Sequence, residues 1–225
     1  MPGKLYIVAT PIGNLGDITI RAIETLKQVD LIACEDTRRT IKLLNHLEIR
    51  QKTVSFHEHS KLKKIDFLVE KLLAGENIAL VTDAGTPGIC DPGGQLVKKA
   101  IENGIEAISI PGPSVLTALL SISGSRNEPC LFLGYPPKKG RENFWRRIFE
   151  SAEIGKFKTI CFYESCHRIE KTLKFLLDIN PDLELIVARE LTKKFETIIR
   201  GDVANVLEQL KNSNIKGEFT VLLIP

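Results

Sequence analysis

Residues 82–93 read TDAGTPGICDPG and follow the apolar run Ile78-Ala79-Leu80-Val81. The twelve residues hold three glycines, two prolines and two aspartates. An ordinary strand-to-helix turn takes about two to six residues. Glycine permits positive φ and a close approach of backbone to a ligand, and proline stiffens what lies between. In open α/β sheets, ligands bind beyond the carboxyl ends of strands. This loop therefore reads as a small-molecule clamp at a strand end, with a long surface turn as the plain alternative.

Outward from that loop the first half alternates in a βα rhythm. Leu5–Ala9, Leu31–Cys34, Thr53–Phe56, Ile78–Val81 and Ala107–Ile110 read as short strands. Between them, apolar residues recur at helical spacing, as in Ile65, Leu68, Val69 and Leu72. Asp17 or Thr19, and then Asp36 or Thr37, supply helix N-caps, and Pro113-Ser114 starts an apolar helix over Val115–Ile122. Short apolar strands alternating with amphipathic helices predict an α/β fold, with a mainly parallel sheet and helices on both faces.

The polar stretch 123–129 reads as a boundary between an N-terminal α/β domain, 1–122, and a C-terminal mixed α/β domain, 123–225. In the second half Leu131–Gly134, Thr159–Tyr163, Leu185–Arg189, Glu196–Arg200 and Glu218–Ile224 are strand-like, and Arg141–Ser151 and His167–Leu177 helical. The last three strands have one helix among them, which predicts a mixed sheet with an antiparallel hairpin.

The chain has 225 residues, 43% hydrophobic and 26% charged, which is ample for a core. Its net charge of +3 is too weak to argue nucleic-acid binding without local clustering. No apolar run approaches the ~18 residues of a membrane span, and the opening MPGKLYIVAT lacks a secretory h-region. A cytoplasmic location and no membrane partner are expected. The five cysteines are scattered without a CxxC pair and read as reduced thiols. His57 and His59 would share a face of an extended segment, but a polar loop is the more ordinary reading and no metal is expected.

Four further motifs bear on chemistry. TPIGNLGDIT, at Thr10–Thr19, is neither GxGxxG nor a P-loop, and no GK[ST] occurs in the chain. CEDTRR, at Cys34–Arg39, sets two acids and two arginines at a strand end. Asp36 suits an N-cap, whereas Arg38 is a cation where helices disfavour one, which points to an anionic ligand or a salt bridge. IPGPS, at Ile110–Ser114, repeats the stiff turn and would line a strand end neighbouring the long loop. YPPKKGRENFWRRIF, at Tyr135–Phe149, is the one concentrated basic region. Its cations Lys138, Lys139, Arg141, Arg146 and Arg147, interleaved with Phe144 and Trp145, suit RNA phosphates and bases. The alternative is an amphipathic helix with core aromatics and solvated charges.

The succession VATPIGNLGDIT, CEDTRRT, VSFHEH, LVTDAGTPGICDPG, IPGPSVLTALL, FLGYPPKKGRE, FYESCHR and ARELTKKFE resembles the small-subunit ribosomal RNA methyltransferase I branch of the tetrapyrrole methylase superfamily. The resemblance runs from Lys4 to about Gly201. CEDTR, DAGTPGICDPG and ARELTK are specific to that branch; the tetrapyrrole enzymes carry a shorter GDP-type loop.

The resemblance implies 2′-O-methylation, dependent on S-adenosylmethionine, of a cytidine ribose in the decoding region of small-subunit (16S) ribosomal RNA. It also implies two α/β domains with an active-site cleft between them, a homodimer, and the assembled small ribosomal subunit as partner. Carried over by position, the cofactor contacts are Ala9, Thr10, Asp83, Gly85, Thr86, Ile89, Ser114 and Val115, with Tyr163, Ala188 and Gly217 from the second domain. Adenosylmethionine has no phosphate, which accords with the missing phosphate-binding signatures.

A ribose hydroxyl that attacks a methyl carbon must give up its proton. Glu35, Asp36 and Glu190 are the candidate bases, Glu35 foremost because Asp36 suits a cap. Arg38 and Arg189 would orient ribose or phosphate, and His57 and His59 would touch RNA or one another. The alternatives are a methyltransferase of this fold acting on a tetrapyrrole or a protein, or a non-catalytic RNA-binding or ribosome-assembly module.

Overall fold

The computed structural model describes residues 1–57, 62–125, 129–151, 157, 159–212 and 215–224. They form two compact units, Met1–Ser114 and Val115–Pro225.

The first unit contains β1 (Leu5–Val8), α1 (Ile20–Gln28), β2 (Leu31–Cys34), α2 (Thr37–His46), β3 (Thr53–Ser55), α3 (Leu62–Leu73), β4 (Ile78–Val81), α4 (Gly94–Glu102) and β5 (Ala107–Ile110). Its strands lie in the order β3-β2-β4-β1-β5, and every pairing is parallel. The strands are four residues or fewer, and β2 and β4 are buried along their whole length. Period-two alternation divides them between two cores. Leu5, Ala33, Ile78 and Leu80 pack with α3 and α4 through Leu68, Leu72, Leu96 and Ala100. Val8, Ile32, Cys34, Ala79 and Val81 pack on the opposite face with α1 and α2 through Ala22, Leu26 and Leu44. The helices thus cover both faces, as the βα rhythm predicts.

Helix α1 is capped by Thr19, whose hydroxyl accepts the Ala22 N–H at 3.1 Å; Asp17 instead ends a short 3₁₀ turn, Leu15–Asp17. Asp36 caps α2 by accepting the Arg38 N–H at 2.9 Å.

The second unit opens with α5 (Val115–Ser121) and continues through β6 (Cys130–Phe132), α6 (Arg141–Glu150), β7 (Thr159–Ser165), α7 (Ile169–Ile179), β8 (Glu184–Arg189), β9 (Thr197–Asp202), α8 (Val203–Lys211) and β10 (Glu218–Ile224). Its sheet has the order β6-β7-β10-β8-β9. Strands β6 and β7 are parallel, and the other three pairings are antiparallel, with β8 and β9 forming the expected hairpin. One face carries a core of Trp145, Phe162, Leu173, Val187, Leu207 and Val221 beneath α6, α7 and α8. The other carries Cys161, Ile186, Ala188 and Leu222 beneath Leu119 of α5.

That last contact moves the division of the chain. The sequence places the boundary after Ile122, at the polar stretch. The units divide between Ser114 and Val115, because α5 buries its apolar side on the second sheet. No helix among the described residues is long and apolar enough to cross a membrane.

Candidate functional site

Strand order brings the motif loops of the first unit to one edge. Strand β4 lies between β2 and β1, and β1 between β4 and β5. The long loop therefore leaves the sheet beside Ala9-Thr10 on one side and Glu35-Asp36 on the other. The expectation that IPGPS follows a strand adjacent to β4 needs correcting, since β1 intervenes. The two loops still meet, through a Thr86 hydroxyl that donates to the Pro113 carbonyl at 3.2 Å.

The loop is fastened at its start. Thr10 and Gly85 exchange backbone hydrogen bonds of 2.9 and 3.0 Å, an isolated antiparallel bridge beyond the parallel sheet. The Thr10 hydroxyl donates to the Thr82 carbonyl at 3.2 Å. Gly85 has φ +77°, and a Cβ there would lie 3.4 Å from Ile12. That is ordinary contact distance, so it is the left-handed backbone that selects glycine.

Acidic groups fasten β2 to β4. The Asp36 N–H donates to Asp83 Oδ1 at 3.1 Å, and Arg39 Nη1 lies 3.3 Å from Asp83 Oδ2. The Asp83 N–H points back to Glu35 Oε2 at 3.4 Å. Glu35 Oε1 accepts no hydrogen bond from any described residue. Partial burial raises the Glu35 pKa; the Asp83 N–H and Arg39 pull it down, and the Asp83 and Asp36 charges add to the rise. Asp36 behaves oppositely. Its bonds to the Arg38 side chain, at 2.7 and 3.1 Å, and to the Arg38 N–H hold it down to about 2. The Arg38 cation at a helix start is thus explained by an ion pair with the cap, and both groups are engaged.

Thr10, Leu15, Arg39, Thr40, Thr82 and Asp83 border a cleft of about 250 Å³. Arg39 is the member that motif reading left out, although the second arginine of CEDTRR was its signal. Ile89 projects from the loop and is exposed, and Ser114 and Val115 are half-buried. His57 borders a separate cleft of about 210 Å³ beside Asp91, Pro92 and Gln95. His59 lies outside the described residues.

In the second unit, Tyr163 of β7 and Ala188 of β8 both pair with Thr220 of β10, so three residues distant in sequence form one row. Tyr163 packs edge-on against Phe132 and Tyr135 at centroid distances of 5.1 and 5.4 Å. Thr220 could not be found from motifs, because only antiparallel register sets it between the other two. Gly217 precedes β10 with φ +122°, and a Cβ there would lie 2.6 Å from Glu190 Cγ. Glu190 itself has φ +53°. Its Oε1 accepts the Glu218 N–H and the Lys193 ammonium, both at 2.9 Å, so this carboxylate secures a turn. Arg189 secures the same region through the Lys216 and Phe195 carbonyls, at 2.8 and 2.9 Å.

The basic segment divides. Lys138, Lys139, Arg146 and Arg147 are exposed. Arg141 departs from the expected surface role: its side chain is 12% exposed and pairs with Glu164, whose side chain is fully buried. A buried carboxylate demands compensating charge, and Glu164 also receives Arg168 at 2.7 Å and the Thr172 hydroxyl at 2.8 Å. Trp145, the candidate stacking residue, is a core residue packed on Phe162 at 4.9 Å.

The sequence profile of the tetrapyrrole (corrin/porphyrin) methylases matches residues 4–207, and the chain belongs to that family. It is 45% identical to the ribosomal RNA small subunit methyltransferase I of Halalkalibacterium halodurans, over 98% of this chain and 75% of that protein. The protein of the same name from a Hydrogenobaculum species is also 45% identical, over 98% of this chain and 95% of its own length. Within the family, the chain groups with these proteins. Among solved structures, a cobalt precorrin-4 methyltransferase superposes with a TM-score of 0.70 at 16% identity, covering 98% of this chain and 94% of the other. A uroporphyrin-III C-methyltransferase from Thermus thermophilus, complexed with S-adenosyl homocysteine, gives 0.67 at 15% identity, covering 98% and 97%. The fold is shared with both.

Proposed function

We propose that this chain methylates small-subunit ribosomal RNA with S-adenosylmethionine as donor, at the 2′-hydroxyl of a cytidine in the decoding region. The reading includes a homodimer that acts on the small ribosomal subunit in the cytoplasm. The names of the similar proteins support ribosomal RNA as substrate. The observation that carries the chemistry is a half-buried carboxylate, Glu35, at the end of β2 and within hydrogen-bond reach of the Asp83 N–H, beside a loop that has no cation of its own.

The residues at this edge fit such a donor. Residues 82–93 contain neither lysine nor arginine, so the loop itself offers a polyphosphate no cation, and Arg39 beside it is paired with Asp83. Backbone amides and carbonyls held by the Thr10–Gly85 bridge suit a ligand of mixed polar and apolar character. Ala9, Thr10, Asp83, Gly85, Thr86, Ile89, Ser114 and Val115 would hold it, and Tyr163, Ala188 and Gly217 of the second unit belong to the same proposal. Bound there, the donor supplies a methyl group on a sulfonium, already a good leaving group.

Glu35 takes up the hydroxyl proton through Oε1, which has no partner among the described residues. Asp83 holds the backbone of Asp36 and the Arg39 guanidinium, which keeps the end of β2 in place. General-base assistance of this kind contributes a factor of about 10²–10⁴. Asp36 and Arg38 are engaged with each other and support the site through the start of α2, and Glu190 secures a turn of the second unit.

The test is methyl transfer to small subunits from cells lacking the protein, with the product mapped by protection from alkaline cleavage. The expected result is one protected cytidine. Glu35→Gln should lower turnover by about 10²-fold or more while leaving adenosylmethionine affinity near that of the wild type. Full activity of this variant rejects Glu35 as base, and methylation at a nucleobase rejects the 2′-O assignment.

A further inference from the structure

We infer that a cavity between α6 and α7 binds a phosphate group of an RNA backbone; the RNA part of this inference rests on the function proposed above. The cavity measures about 320 Å³ and is lined by Lys138, Gly140, Arg141, Trp145, Lys171 and Phe175, among others. Two lining residues hold buried N–H donors without an acceptor among the described residues, Arg141 Nη1 and Trp145 Nε1. Buried donors are nearly always satisfied, so an orphaned pair on one cavity calls for an acceptor.

The surroundings specify its charge. Arg141 is anchored through its other amino group to Glu164 and Thr172. Glu164 is shared with Arg168, so two arginines face one carboxylate and a positive charge is left over. Lys138 and Lys171 border the cavity, are exposed, and have no ion-pair partner among the described residues. Glu142 is the single acidic lining residue. Helix α6 starts from Gly140 in the left-handed region, φ +66°, with no side chain accepting its first-turn amides. Unmet amides at the start of a helix favour an anion. Both buried orphaned groups are donors, and the cations Lys138, Arg141 and Lys171 outnumber the single acid Glu142, which disfavours a metal ion and selects an oxyanion with several acceptor oxygens. The neighbouring Lys139, Arg146 and Arg147 are exposed, so a chain of such anions would find further cations on the same unit.

Trp145 is the only tryptophan, so its emission reads this cavity directly. The full chain would be titrated at constant ionic strength with inorganic phosphate, and separately with a short single-stranded oligoribonucleotide. The expected result is a saturable emission change with both. Each should weaken about tenfold or more in the double variant Lys138→Gln/Lys171→Gln, which removes two charge-assisted contacts. The salt slope for the oligoribonucleotide should shrink by about 1–2. Lys98→Gln, on α4, should match the wild type. Both substituted lysines are exposed, and an unchanged emission spectrum without ligand confirms that the core is intact.

No saturable response to either probe overturns the inference. Phosphate binding combined with RNA binding that ignores the double variant overturns the RNA assignment. Methyl transfer by the wild type separates the two readings. A protein that transfers no methyl to RNA, yet shows both responses, leaves this site standing while the proposed function falls.

Discussion

Glu35 is subject to opposing influences whose net effect is readable by pH. Burial raises its pKa above the ordinary 4.5, and the Asp83 N–H and Arg39 only partly offset this. A base must be deprotonated, so activity should fall on acidification at a pH above 4.5, and the limb should move when Arg39 is replaced by Gln. Stability has the opposite sign. The folded state holds this proton more tightly than the unfolded one, so ionisation costs stability as pH rises through the folded pKa. Glu35→Gln should therefore lose activity while its urea midpoint at neutral pH stays level or rises. Gly217 gives a steric test on the second unit. Left-handed backbone and a Cβ 2.6 Å from Glu190 Cγ predict that Gly217→Ala costs about 1–3 kcal/mol in denaturant unfolding.

At the scale of an element, α2 depends on its first residues. Asp36 caps the helix and also binds the Arg38 side chain, so one carboxylate serves the helix start and an ion pair. Its pKa is lowered from 3.8 to about 2, so its contribution is present above the unfolded value and is lost as pH falls from about 4 towards 2. Asp36→Asn keeps an acceptor for the Arg38 N–H but has no charge to titrate. Urea midpoints measured across that range should show a steeper acid loss for the wild type than for the variant. Helix α6 illustrates the reverse of its surface reading. Its basic sequence suggests an exposed RNA face, but Trp145 and the Arg141 guanidinium turn inward, and Arg146 and Arg147 stay outside.

For the molecule as a whole, each unit has its own buried sheet with a core on either face. In the second unit the core encloses a charged centre, Glu164 with Arg141 and Arg168. Replacing one member of such a set leaves buried charge uncompensated, at a cost of about 3–5 kcal/mol. Glu164→Gln should lower the unfolding midpoint followed by Trp145 emission, because that tryptophan belongs to the same core.

Local chemistry was legible in the chain itself. Proline, glycine and capping residues act over a few bonds, and apolar periodicity registers one element at a time. The parallel βα rhythm, the C-terminal hairpin, the stiff loop after β4 and the Asp36 cap could all be read without coordinates. Which strand lies beside which could not, because pairing joins residues far apart and depends on which faces can be buried together. Only the tertiary structure sets β4 between β2 and β1, joining Asp83 to Asp36 and Arg39 and Thr10 to Gly85. The same holds for α5, which its apolar side commits to the second sheet, and for Arg141, whose partner Glu164 lies 23 residues further on. A buried charge is settled by whatever folding brings against it, and no spacing along the chain states that in advance.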